Sequence, residues 1–207
     1  MNAVVPSLYL ASQSPRRREL LQQIGVVHAV INASIPEQPA PGETALDYVQ
    51  RLAREKAAAG FAQLLKQQLP LAPVLGADTL GLLDGKILEK PLNQDHAHTM
   101  LRQLSGRTHQ VITAVALHSS TRQALRVSTT DVTFRELSDR EIAAYWETGE
   151  PQDKAGSYAI QGLGAVFVQE IRGSYSCVVG LPIEATCELL REFAVPWWTP
   201  AAAECAS

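Results

Sequence analysis

The stretch VLGADTLGLLDGKIL, residues 74–88, decides how the chain is built. Apart from Asp78 and Thr79, residues 74–83 are apolar or glycine, which reads as a buried strand. Asp84-Gly85 is a hairpin turn, and residues 86–88 run back. A carboxylate inside such a strand is costly unless it meets a metal, a cation or several donors, so Asp78 needs more than packing to explain it. The bland reading is a strand-end aspartate that caps a neighbouring loop. Gly76 and Ala77 leave little bulk before it, which would let a ligand approach the backbone.

On the N-terminal side, residues 8–11 form a short apolar run, Ser14 is an N-cap candidate and Pro15 fits the first helical position. Leu20, Leu21 and Ile24 line one face of that helix, which stops at Gly25. Residues 35–42 hold three prolines and read as an irregular loop. Thr44 with Asp47 opens a second helix whose apolar stripe is Leu46, Val49, Leu52 and Ala53. On the C-terminal side come a helix over 95–104, strands over 108–117 and 125–134 around a polar turn at 118–123, and a capping box at Ser138 and Glu141. A strand over 165–171 and a helix over 182–193 follow, with a loosely held tail after Pro196. The order of elements is mixed α/β.

The 207 residues are 46% hydrophobic and 19% charged, the composition of a globular domain and not of a disordered chain. Eighteen Lys+Arg against 21 Asp+Glu give a net charge of −3, which disfavours a duplex DNA binder. No run approaches the roughly 18 apolar residues of a membrane span. Residues 3–11 have no preceding Lys or Arg and contain Pro6 and Ser7, so no signal peptide is expected. Cys177, Cys187 and Cys205 lack metal-type spacing and are expected as reduced thiols in the cytoplasm.

Three further segments break the packing pattern. Ser12, Ser14, Arg16 and Arg17 sit where a strand feeds a helix, and free N–H groups, hydroxyls and guanidiniums there suit phosphate oxygens. Lys56 falls in the middle of the second helix's apolar stripe, where it either snorkels to solvent or reaches an anionic partner. Residues 153–162 are glycine-bounded and carry polar side chains that could read a base edge, without GxGxxG or Walker A spacing. His96 and His98 diverge on a helix, and HExxH, paired CxxC and GxSxG are absent. His28, His109 and His118 are assigned to structure, and Trp197 with Trp198 to an apolar clamp on the tail.

The runs ASQSPRRREL (11–20), RLAREKA (51–57), GADTLGLLDGKILEKP (76–91), LSGRTHQVITAVAL (104–117), DKAGSYAIQGLG (153–164) and GSYSCVVGLP (173–182) resemble the Maf family of nucleoside triphosphate pyrophosphatases. The resemblance covers about residues 8–193 and is closest to the branch acting on dTTP and UTP. It implies a single domain over 1–207, with residues 196–207 a loose tail, and a fold shared with inosine triphosphate pyrophosphatases: an elongated, curved mixed sheet with flanking helices and a cleft between two lobes. It also implies cleavage between the α- and β-phosphates with a divalent cation, Mg²⁺ or Mn²⁺, and a homodimer, while the cysteines, the charge and the hydropathy lead us to expect a cytoplasmic protein without nucleic acid or membrane partners. By matching positions, Asp78 is the proton acceptor, and Arg16, Thr79 and Gln161 tune substrate choice. Ser12, Glu37, Lys56, Lys90, Asp153 and Lys154 match other active-site positions. Gly81 departs from the pattern, where a β-branched residue is expected.

The resemblance and the physical reading meet in the charges. Arg16, Arg17, Lys56, Lys90 and Lys154 could together offset the roughly three to four negative charges of a triphosphate. Asp78 could serve as base, metal ligand or both, with Glu37 as second metal candidate. The rival readings are a pyrophosphatase for 7-methyl-GTP or other modified nucleotides, a nucleotide-binding regulator without catalysis, and a nucleic-acid-binding module.

Overall fold

The computed structural model describes residues 5–198. In chain order these form β1 (Leu8–Leu10), α1 (Pro15–Gln23), β2 (His28–Val30), α2 (Ala45–Lys66), β3 (Val74–Leu83), β4 (Lys86–Leu88) and α3 (Gln94–Leu104). Then come β5 (Thr108–His118), β6 (Gln123–Phe134), α4 (Asp139–Glu147), β7 (Val168–Arg172), α5 (Tyr175–Val179) and α6 (Ile183–Glu192). The seven strands make one mixed sheet in the order β2-β1-β3-β5-β6-β7, with β4 added to β3. The expected α/β class, a mixed sheet with flanking helices, is the one observed.

The β3–β4 hairpin has the expected bounds, and Asp84 and Gly85 both take positive φ, +50° and +77°, as a tight primed turn requires. β1 runs parallel to β3 but meets it only at Val74 and Leu75. β4 pairs the same edge from Gly81 to Leu83, because β5 occupies the other edge along nearly the whole strand. Residues 76–80 of β3 therefore have no strand neighbour on one side. This window holds Asp78 and Thr79.

α2 covers one face of the sheet, where Val49, Ala53 and Ala57 pack on Leu80, Ile112, Ala114 and Ala116. The other face carries the larger core, with Leu20 and Leu21 of α1, Leu101 and Leu104 of α3, and Leu189 and Leu190 of α6. Alternation along each strand sorts residues between these faces.

Several sequence expectations need correction. Leu46 is exposed, because the first turn of α2 presents Ala45 and Tyr48 to the sheet instead. A Cβ at Gly76 would collide with the Ala53 carbonyl and the Ala57 nitrogen, so its bareness admits the α2 backbone and not a ligand. Residues 163–167 wind into a 3₁₀ turn, and the strand expected over 165–171 starts only at Val168. The turn after β5 is shorter than 118–123, since the strands pair out to His118 and Gln123. Trp197 packs on the core while the Trp198 ring is exposed, its backbone N–H donating to Ile24 O at 2.8 Å. Residues 199–207 of the expected loose tail, including Cys205, lie outside the described residues.

Candidate active site

The chain leaves β1 at the sheet window and turns into α1 through Ser12 and Ser14. Ser12 Oγ accepts from the Ser14 backbone N–H at 3.2 Å and from Arg17 NH1 at 3.1 Å. Ser14 occupies the N-cap but its side chain makes no capping bond. The expected capping role is thus not used. Arg17 reaches back across the window: Nε donates to Gly180 O at 2.8 Å and NH2 to Thr79 Oγ1 at 3.2 Å. It commits three N–H groups to the protein and keeps the remainder of the guanidinium fork. Burial lowers its pKa, opposed by the charges of Asp78 and Glu37.

A cavity of about 480 Å³ opens beside this helix start. Its walls include Ser14, Arg16, Arg17 and Thr79 on one side and Lys90, Asp153, Lys154 and Gln161 on the other. Lys154 Nζ donates to Asp153 Oδ1, which holds the Asp153 carboxyl below its ordinary pKa. The backbone N–H of Gly156 donates to Glu89 O at 3.0 Å, tying this segment to the one that carries Lys90. Gly81, the departure from the family pattern, faces Leu88, whose side chain a Cβ there would meet at 2.9 Å.

Asp78 lies on the opposite face of β3 from Thr79, outside that cavity wall. Lys56 Nζ donates to Asp78 Oδ1 at 2.7 Å and stands 2.8 Å from Glu37 Oε1. The open choice for Lys56 is settled in favour of anionic partners. Burial pushes the Asp78 carboxyl above its ordinary pKa, with Lys56 and Arg17 pulling it down and Glu37 pushing it up. Glu37 is held near by its loop: Tyr48 Oη donates to Glu37 O at 2.9 Å, and Arg51 NH2 to Gln38 O at 3.0 Å. The predicted site residues therefore form two groups on either face of one strand, and the window in the sheet lets Arg17 and Asp78 feel each other's charge.

Other contributors were not singled out by the sequence. His109 Nε2 lies 2.8 Å from Tyr158 Oη, and both rings form part of the cavity wall. Burial lowers the His109 pKa to about 4, so the ring is neutral and structural, as its isolation in sequence suggests. Glu150 anchors the loop that presents Gln161. Its carboxylate accepts from Tyr145 Oη at 2.6 Å and from the backbone N–H groups of Leu163 and Gly164 at 2.9 Å. A Cβ at Gly162 would collide with that carboxylate, so a side chain there would push the Glu150 anchor aside. Only the two glycines of GLG, 162–164, hinted at this anchor in the sequence.

Among the described residues no cluster of three or more His, Cys, Asp or Glu is poised for a metal. Asp78 and Glu37 nevertheless converge on one ammonium, and two carboxylates plus phosphate oxygens suffice for a hard divalent cation. The donor set fits such an ion.

The Maf-like protein family matches residues 7–193 of this chain. The dTTP/UTP pyrophosphatase of Saccharophagus degradans is 56% identical over 191 residues, which span 92% of this chain and 90% of that protein. The dTTP/UTP pyrophosphatase of Escherichia coli O157:H7 is 58% identical over 187 residues, spanning 90% and 93%. Among solved structures, the Staphylococcus aureus Ham1 protein is similar over 61% of this chain and 71% of its own, with a TM-score of 0.41 and 14% identity.

Proposed function

The chain belongs to the Maf family, and on that premise we propose that it hydrolyses dTTP and UTP between the α- and β-phosphates, releasing nucleoside monophosphate and pyrophosphate. The observation that carries this reading is a cavity walled by Arg16, Arg17, Lys90 and Lys154 on one face of β3, with the buried Asp78 carboxylate, paired with Lys56, on the other.

Arg16, Arg17, Lys90 and Lys154 offset the triphosphate charge from the cavity walls, and the free N–H groups at the start of α1 add donors for phosphate oxygens. Gln161 presents an amide donor and a carbonyl acceptor, matching O4 and N3–H of uracil or thymine. Asp78 orients the attacking water and takes its proton on the carboxylate oxygen not engaged by Lys56. Its raised pKa makes it a stronger base than an ordinary aspartate. Lys56 holds the carboxylate in place. Asp78 and Glu37 would hold Mg²⁺ or Mn²⁺, which when bound supplies Lewis-acid neutralisation of phosphate oxygens.

The protein is read as one domain over residues 1–207, acting as a homodimer in the cytoplasm. No described helix is long and apolar enough to cross a membrane, and the net charge of −3 gives no basis for nucleic-acid binding. The test is a product-resolved screen of ordinary and modified nucleoside triphosphates with purified protein and Mg²⁺. UMP and pyrophosphate from UTP are expected; UDP and phosphate, or a preference for 7-methyl-GTP, would contradict the reading.

A further inference from the structure

We propose that Thr113 is a positioning residue for substrate choice: it accepts a hydrogen bond from the Thr79 hydroxyl and leaves the Thr79 oxygen facing the cavity as an acceptor only. Thr113 lies on β5 directly opposite Thr79 on β3 and has no exposed surface. Its hydroxyl donates to the carbonyl of Cys177 at 2.8 Å. A carbonyl has no proton to return, and a hydroxyl has only one to give. In the 2.9 Å contact between the two threonine hydroxyls, the proton therefore comes from Thr79. Without it, lone pairs would face each other in a buried site, a costly arrangement.

Arg17 closes the other side. Its NH2 donates to Thr79 Oγ1 at 3.2 Å, using one of that oxygen's lone pairs. The Thr79 O–H is then committed to Thr113 and its oxygen keeps one lone pair, while forming part of the cavity wall. Only a hydrogen-bond donor on the ligand can meet it. The relay runs from Thr79 through Thr113 to the carbonyl of Cys177 in α5, and its direction follows from counting protons.

The inference rests on UTP and dTTP as substrates. Away from the phosphates, both carry two donors: N3–H of the base and the 3′-hydroxyl of the sugar. The 2′-hydroxyl is absent from dTTP and so is not a partner that both require. The shared chemistry is a donor common to the two nucleotides. Two analogues separate its sources: 3-methyluridine triphosphate lacks N3–H, and 2′,3′-dideoxythymidine triphosphate lacks the 3′-hydroxyl.

The experiment measures kcat and KM for UTP, dTTP and both analogues in wild type, Thr79→Val, Thr113→Val and Thr113→Ser. In wild type, one analogue falls about tenfold below its parent in kcat/KM, chiefly through KM. That gap narrows in Thr79→Val and Thr113→Val and persists in Thr113→Ser, which keeps the hydroxyl. A purely structural Thr113 would depress all four substrates alike and leave the gap unchanged, which overturns the proposal. A gap that survives in Thr79→Val reports steric exclusion and overturns it too. Should Thr113→Val fail to fold, the other two variants decide: Thr113→Ser keeps the gap and Thr79→Val loses it, or the proposal is wrong. Equal use of the analogues and their parents by wild type overturns this inference alone. No turnover of UTP or dTTP overturns the substrate reading and the inference with it.

Discussion

The Lys56 ammonium and the Asp78 carboxylate form a buried pair at 2.7 Å across the interface between α2 and β3. Burial still leaves the Asp78 pKa raised, so the lysine only partly offsets the cost of placing a carboxylate there. Removing Lys56 alone strands Asp78, whereas Lys56 without Asp78 keeps Glu37. Lys56→Met, which suits an apolar stripe by shape, is therefore expected to destabilise the fold by about 3 kcal/mol, and Lys56→Met with Asp78→Asn to recover most of that loss. Urea unfolding of wild type, both single variants and the double variant measures the coupling. A Lys56→Met protein as stable as wild type would show that the pair is not buried as described.

The same carboxylate sets a pH dependence. In the unfolded chain it titrates near its ordinary 3.8, and in the folded protein higher. Between those values the folded state holds a proton that the unfolded state has lost, so Asp78's contribution to stability declines as pH rises across that window. Asp78→Asn is expected to abolish this decline. Unfolding free energies of wild type and variant, measured from pH 3.5 upward (about the ordinary carboxylate range), should diverge with the variant gaining at higher pH. Parallel curves would contradict the raised pKa.

Gly76 is a packing position. Any side chain there meets the backbone of α2 at Ala53 and Ala57, which cannot rotate away. Gly76→Ala should cost about 3 kcal/mol, at the upper end of core overpacking, and should displace α2 and with it Lys56. Thermal unfolding tests the first part. A variant with wild-type Tm would mean that α2 stands further from β3 than the structure has it.

How far the sequence reaches is visible in these same residues. The hairpin at 84–85, the capping box at Ser138 and Glu141 and the buried position of Lys56 depend on spacing over a few residues, and each was legible. The anchor of Glu150 on Leu163 and Gly164 was not, because it joins residues 13 and 14 apart through backbone donors. β2 and α5, three and five residues long, draw their stability from neighbours, β1 and the Thr130–Ser174 contact, and not from local pattern. Motif order drew the site residues together, yet only the topology showed that Asp78 and Thr79 serve opposite faces of one strand.

Gln161 sits exposed on the loop that Glu150 holds, with the cavity before it. Gln161→Glu keeps the shape but loses the amide donor, leaving the O4 acceptor of uracil or thymine facing a carboxylate. kcat/KM for UTP and dTTP should fall by about tenfold or more relative to GTP and 7-methyl-GTP. The comparison across the four nucleotides checks it, with an Arg16→Trp double variant to ask whether purines also need a different wall. An unchanged pyrimidine preference in the single variant would remove Gln161 from base recognition.

The central claim is that Asp78 takes the proton of the attacking water, and Asp78→Asn tests it most directly, because the change preserves size and removes basicity and ligating charge. Single-turnover hydrolysis of UTP with Mg²⁺, resolved as UMP and pyrophosphate, should slow by about a thousandfold, while equilibrium binding of UTP measured on the same protein survives. A variant that releases UMP and pyrophosphate at the wild-type rate would contradict the account.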